Sequence, residues 1–161
     1  MAFASYREAV VAFRRYLNDI PQLNTLDREM ESTDDELEDF IFSALNNINM
    51  NYTPATQYKL ANIVVEPGEA VAGVPWSTVR MGALLELLQI KGIISARNAI
   101  TYSDAGGVTV AEMDKYGRYL TFLNVLAARY EKAVTTMKIR ENITNAFGGV
   151  ASPLGFDSYY G

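Results

Sequence analysis

From Met113 to Ala146 the apolar residues recur at the period of one long helix. Met113, Leu120, Ala127 and Val134 lie seven apart, and Tyr116, Leu123, Tyr130 and Met137 fall three further along each time. Tyr119, Leu126 and Ala133 widen the stripe. At 1.5 Å per residue such a helix is about 50 Å long. A helix of that length need not be fully buried in a domain of 161 residues. Either it spans a bundle or part of it meets another chain. Thr109 and Glu112 have capping-box spacing at its start. Lys138 and Arg140 lie near its far end, where cations complement exposed carbonyls, and Gly148-Gly149 is a stop signal.

Three shorter helices precede it. Phe3, Tyr6, Val10, Phe13, Leu17 and Ile20 share one face of a helix from Phe3 to about Asn18, which Pro21 is expected to stop. Thr33 with Glu36 caps a second helix running to about Asn49, with the apolar stripe Leu37, Phe40, Ile41, Ala44, Leu45 and Ile48. Its acidic run, Glu31 to Asp39, reads either as a solvated helix face or as a surface for a basic partner. The third helix starts near Pro75 or Trp76. Trp76, Val79, Ala83, Leu87, Ile90 and Ile94 form one face, and Leu84, Leu85, Leu88 and Ile93 carry the apolar surface almost around it. That makes it the expected central helix. Gly82 and Gly92 weaken it, and close packing by a neighbour would explain both.

Between the helices, Tyr52 to Pro75 is irregular, with an extended piece around Tyr58 to Val65 and turns at Pro67-Gly68 and Gly73. Asn98 to Val110 reads as a short hairpin or an ordered loop. The tail from Gly148 to Gly161 has Asp157 as its single charged side chain, yet holds Leu154, Phe156, Tyr159 and Tyr160. It would dock on its own domain or on a neighbour, or stay disordered. The reading is a mainly α protein: a four-helix bundle-like domain over 1–147 with a long last helix, extended loops and a C-terminal arm over 148–161.

Chemistry is thinly represented. His and Cys are absent, which removes Ser-His and Cys-His catalysis, disulfides and histidine- or cysteine-based metal sites. No P-loop, nucleophile elbow, dinucleotide fingerprint or calcium loop occurs. Glu66 with Glu69 and Asp104 with Glu112 are carboxylate pairs that acid–base work could use, but nothing in their spacing puts them in one cleft. The expectation is no enzyme, no cofactor and no metal. The net charge is -5. Arg7, Arg14 and Arg15, the one compact basic set on the first helix, fall short of a nucleic-acid stripe. No run approaches the ~20 apolar residues of a membrane helix, and the N-terminal segment lacks a signal peptide's continuous apolar core.

Three stretches carry a family resemblance. They are TDDELEDFIFSALNNIN (33–49), VRMGALLELLQIKG (79–92), and YSDAGGVTVAEMDKYGRYLTFLNVLAARYEKAVTTMKIRENI (102–143) followed by GGVASPLG (148–155). Together they resemble the head–tail connector (neck) adaptors of tailed bacteriophages. The resemblance implies a structural virion protein of the neck, assembled in the host cytoplasm. It implies a ring, often a dodecamer, that joins the portal protein to the tail or the next neck protein and lines the DNA path without reading sequence. Another helical phage structural protein, such as a tail-completion, terminator or scaffold component, is the alternative. Tyr119 on the long helix and Leu154, Phe156, Tyr159 and Tyr160 on the tail are the expected interface residues.

Overall fold

A computed structural model describes residues 3–22, 30–52, 55–65, 73–97, 102–103, 109–110 and 113–146; within these, the side chains of 94–97, 102–103, 109–110, 113–119 and 144–145 are left aside. The chain is mainly α. Among the described residues, four helices run in the order α1 (Tyr6–Leu17), α2 (Asp34–Asn51), α3 (Trp76–Arg97) and α4 (Met113–Ala146). Two pairs of very short strands join them: β1 (Ile63–Val64) with β2 (Val74–Pro75), and β3 (Tyr102–Ser103) with β4 (Thr109–Val110).

Helix α1 starts later than the apolar pattern suggests because Ser5 caps it. The Ser5 hydroxyl accepts the Glu8 N–H, and the Glu8 carboxylate accepts the Ala4 N–H at 2.9 Å. It ends before Pro21 can act. Asn18 takes a left-handed conformation (φ 55°), and the backbone N–H groups there close onto the Arg14 and Arg15 carbonyls. Asparagine tolerates that conformation better than most residues, so Asn18, not Pro21, is the stop. Helix α2 has the expected capping box: the Thr33 hydroxyl accepts the Glu36 N–H, and the Glu36 carboxylate accepts the Thr33 N–H.

The segment after α2 bends through a single 3-10 turn (Leu60–Asn62) into β1, which pairs in parallel with β2. A Cβ on Gly73 would lie 2.4 Å from the Asn62 carbonyl oxygen, so only glycine allows this approach. Strands β3 and β4 pair antiparallel, as a hairpin requires, with Tyr102 opposite Val110 and Ser103 opposite Thr109. Thr109 is therefore a strand residue and not the cap of α4, which begins at Met113. The proposed capping box there is incorrect, because hairpin pairing claims the Thr109 backbone first.

Helix α3 is the centre, packed by α2 on one side and α4 on another, while α1 leans on α2. Helices α2 and α3 are antiparallel, since Gly82 faces Ala44 and Lys91 reaches Glu31, just before α2 begins. The core joins Phe13, Leu37, Ile41, Ile48, Ile63, Val74, Val79, Ala83 and Val134. Phe3 and Phe13 meet the Trp76 ring edge-on. Gly82 bears out the close-packing expectation: a Cβ there would lie 2.9 Å from both Ala44 Cβ and a Tyr130 ring carbon. Gly92 does not, since nothing approaches within 4 Å. Ile90 and Ile93 are likewise exposed, since neither lies against α2 or α4.

Candidate interaction surface

The buried side of α4 holds the helix in place. Leu126, Tyr130 and Val134 are buried, with Leu123, Ala127 and Met137 packed beside them. The Tyr130 hydroxyl sits against Gly82 and has no hydrogen-bond partner among the described residues. Burial pushes its pKa far above the usual tyrosine range, and the nearby Tyr52 and Glu86 add to the shift. One turn past Val134 comes Lys138, which is 1% exposed. It is not one of the helix-end cations that its place in the sequence suggests. Its ammonium donates to the Thr56 hydroxyl and lies 5.3 Å from the Tyr58 ring centre. Burial lowers its pKa, and the Glu141 carboxylate opposes that shift.

Around it is a polar knot. The Tyr58 hydroxyl donates to Glu141, and desolvation followed by that bond raises the Tyr58 pKa. The side-chain oxygen of Asn49, near the end of α2, accepts the Tyr58 N–H and the Thr56 hydroxyl; its amide donates to the Tyr58 carbonyl. The knot ties the strap 55–59 between the ends of α2 and α4. Its groups are committed to one another, as expected of buried polar networks. Among the described residues no group of three or more acidic side chains is arranged to hold a metal ion.

A second polar cluster closes the other end. Arg14 donates to Asp19 at 2.7 Å, to the Ser32 carbonyl at 3.0 Å and to Asp34 at 2.5 Å. The buried Asp19 accepts the Glu31 and Ser32 N–H groups. Lys91 pairs with Glu31 at 2.8 Å beside a cleft of about 150 Å³ lined by Leu17, Leu87 and these polar groups. Arg14 is thus occupied as a clasp between the end of α1 and the start of α2, and the basic set of α1 loses its middle member as a phosphate ligand. Arg80 stacks over the Tyr16 ring at 4.5 Å from its centre.

The outward side of α4 is different. Phe122, Val125, Ile139 and Ile143 are each half or more exposed, and Arg129, Lys132 and Thr136 lie exposed between them. Positions 122, 125, 129, 132, 136, 139 and 143 alternate by three and four, a second heptad row on the side of the helix away from the core. Leu120, placed on the inner stripe by its period, is also exposed. A matching outward row runs along α2: Asp35, Asp39, Phe42, Asn46 and Met50 are all exposed, Met50 at 79%.

The expected interface residues fall elsewhere. Tyr119 belongs to α4, but its side chain lies outside the described ones; Leu154, Phe156, Tyr159 and Tyr160 lie outside the described residues, as do Glu66, Glu69, Asp104 and Glu112. An outward contact face on the long helix is expected from the sequence with Tyr119 as its marker, but the residues of the outer row are not singled out there, because a single stripe already accounts for the helix and charged residues interrupt the second. Among the described residues no helix is long and apolar enough to cross a membrane. No protein-family model, curated protein or solved structure matches the chain.

Proposed function

We propose that this chain is a structural protein of the neck of a tailed bacteriophage. In this reading it assembles in the host cytoplasm into a ring, twelvefold, that joins the portal protein to the tail or the next neck protein. It works by contact with other chains and has no catalytic role. The single observation that carries the reading is the outward face of α4. A helix of 34 residues anchored through one side leaves on the other a heptad-spaced row in which Phe122, Val125, Ile139 and Ile143 are exposed around Arg129, Lys132 and Thr136, and exposed apolar residues grouped on one face mark interaction surfaces. The three stretches that resemble neck adaptors point to the kind of assembly. The packaged DNA would pass through the ring with weak, non-specific contact, in keeping with a net charge of -5 and an Arg14 tied up in its own fold.

Negative-stain imaging of the purified chain, alone and mixed with portal, tests this reading. Rings or capped portals are expected. A chain that stays monomeric and leaves the portal bare would overturn it. Filter binding at physiological salt is expected to give the same weak retention for random and defined duplexes.

A further inference from the structure

We infer that the outward rows of α2 and α4 are the two halves of one head-to-tail contact, so that α2 of one copy lies along α4 of the next. The inference rests on the reading of a ring-forming protein for its purpose, but the two faces and their charges are independent of it. On α2, Asp35 and Asp39 occupy the first half of the row and Phe42 and Met50 the second. On α4, Arg129 and Lys132 are followed by Thr136, Ile139 and Ile143. Aligned in the same direction, the charged and the terminal apolar positions match: Asp35 meets Arg129, Asp39 meets Lys132 and Met50 meets Ile143, while Phe42 falls beside Thr136 and Asn46 beside Ile139. From first to last residue the rows are about 22 and 21 Å long at the α-helical rise, so their ends coincide.

Both faces are exposed on the same chain, so neither covers the other within it. Each lies opposite the buried stripe of its own helix: Leu37, Ile41, Ala44, Leu45 and Ile48 on α2, and Leu126, Tyr130 and Val134 on α4. Two different patches that complement each other make a heterologous contact, and such contacts close into rings when the rotation between copies permits. Parallel pairing of like faces is disfavoured, since it would oppose carboxylate to carboxylate on α2 and cation to cation on α4, and antiparallel pairing would set those charges against the apolar ends of the rows. The polar knot at Lys138 ties the ends of α2 and α4 to one strap, so both faces are placed within the single chain before a partner arrives.

The test is charge exchange in the full-length chain, read by sedimentation velocity. Circular dichroism checks that each variant keeps its fold, as expected for exposed positions. Wild-type chain is expected to self-associate, less so as salt screens the pairs. The double variant Arg129→Glu with Lys132→Glu, and the double variant Asp35→Lys with Asp39→Lys, are each expected to associate at least about tenfold more weakly, because attraction becomes repulsion. An equimolar mixture of the two, and the quadruple variant alone, are expected to recover association. Ile143→Asp should weaken it and Val125→Asp should not. Wild-type association that survives both double variants would overturn the pairing while leaving the ring reading intact. Double variants that associate weakly and are not rescued by mixing would also overturn it. A stronger effect from Val125→Asp than from Ile143→Asp would overturn the parallel register. Wild-type chain that is monomeric alone and with portal would overturn both this inference and the ring reading.

Discussion

The inner and outer faces of α4 are built from overlapping residue types in opposite circumstances. Each has aliphatic residues, an aromatic ring and lysine. On the inside, Val134 is fully buried, Tyr130 presses on Gly82 and Lys138 is enclosed by Thr56, Tyr58 and Glu141. On the outside, Val125, Phe122 and Lys132 meet solvent. Residue type alone therefore does not separate core from surface here. Position around the helix does, and a buried lysine has to be supplied with partners that an exposed one finds in water.

The largest contrast is between two valines. Val134→Asp places a charge in the core and is expected to cost more than about 4 kcal/mol, read as loss of cooperative thermal unfolding. The same change at Val125 should stay within about 0.5 kcal/mol. A large loss at Val125 would mean that the outer row is covered within the monomer. Next comes Gly82→Ala. The added methyl meets Ala44 Cβ and the Tyr130 ring at 2.9 Å, and overpacking of this kind costs about 1–3 kcal/mol. Denaturant midpoints should fall for Gly82→Ala and rise for Gly92→Ala, where the space is open and alanine gains about 1 kcal/mol of helix propensity.

Alkaline titration sharpens the comparison further. Tyr6, Tyr52, Tyr58 and Tyr130 all have folded pKa values raised above 10.0, with desolvation the largest cause in each. Above pH 10 the unfolded chain loses these protons while the folded chain keeps them. Stability present below that pH is therefore lost as pH rises, by up to about 1.4 kcal/mol per pH unit for each tyrosine. Lys138 runs the other way. Its lowered pKa lets the folded chain release a proton first, so its contribution rises toward 10.5 and then levels. The tyrosines outnumber it, and urea midpoints should fall from pH 10 upward. The fall should be shallower in Tyr130→Phe. At neutral pH that variant should also be more stable by about 1 kcal/mol, since it removes a buried hydroxyl left without a partner.

Some of this was legible along the chain because it depends on near neighbours. The α2 capping box needs residues three apart, Thr33 and Glu36. The inner stripe of α4 needs helical periodicity, and the pairing of β3 with β4 follows from the alternation around Tyr102 and Val110. The Asn18 stop was overlooked in favour of Pro21, although a left-handed cap is a local device that asparagine can supply. Thr109 was misread for the opposite reason: two local signals competed for one residue, and strand pairing prevailed.

What the tertiary structure alone decided is which of several equivalent residues meets a partner. Gly82 and Gly92 look alike in sequence, and only the approach of α2 and α4 makes one of them necessary. Lys132 and Lys138 lie six residues apart, so they point in different directions around the helix. Lys138 is buried because the strap carrying Thr56 and Tyr58, some 80 residues earlier, crosses that point of α4. Periodicity sets which residues share a face. Whether a face is covered depends on contacts between segments far apart in the chain, and no local spacing encodes those.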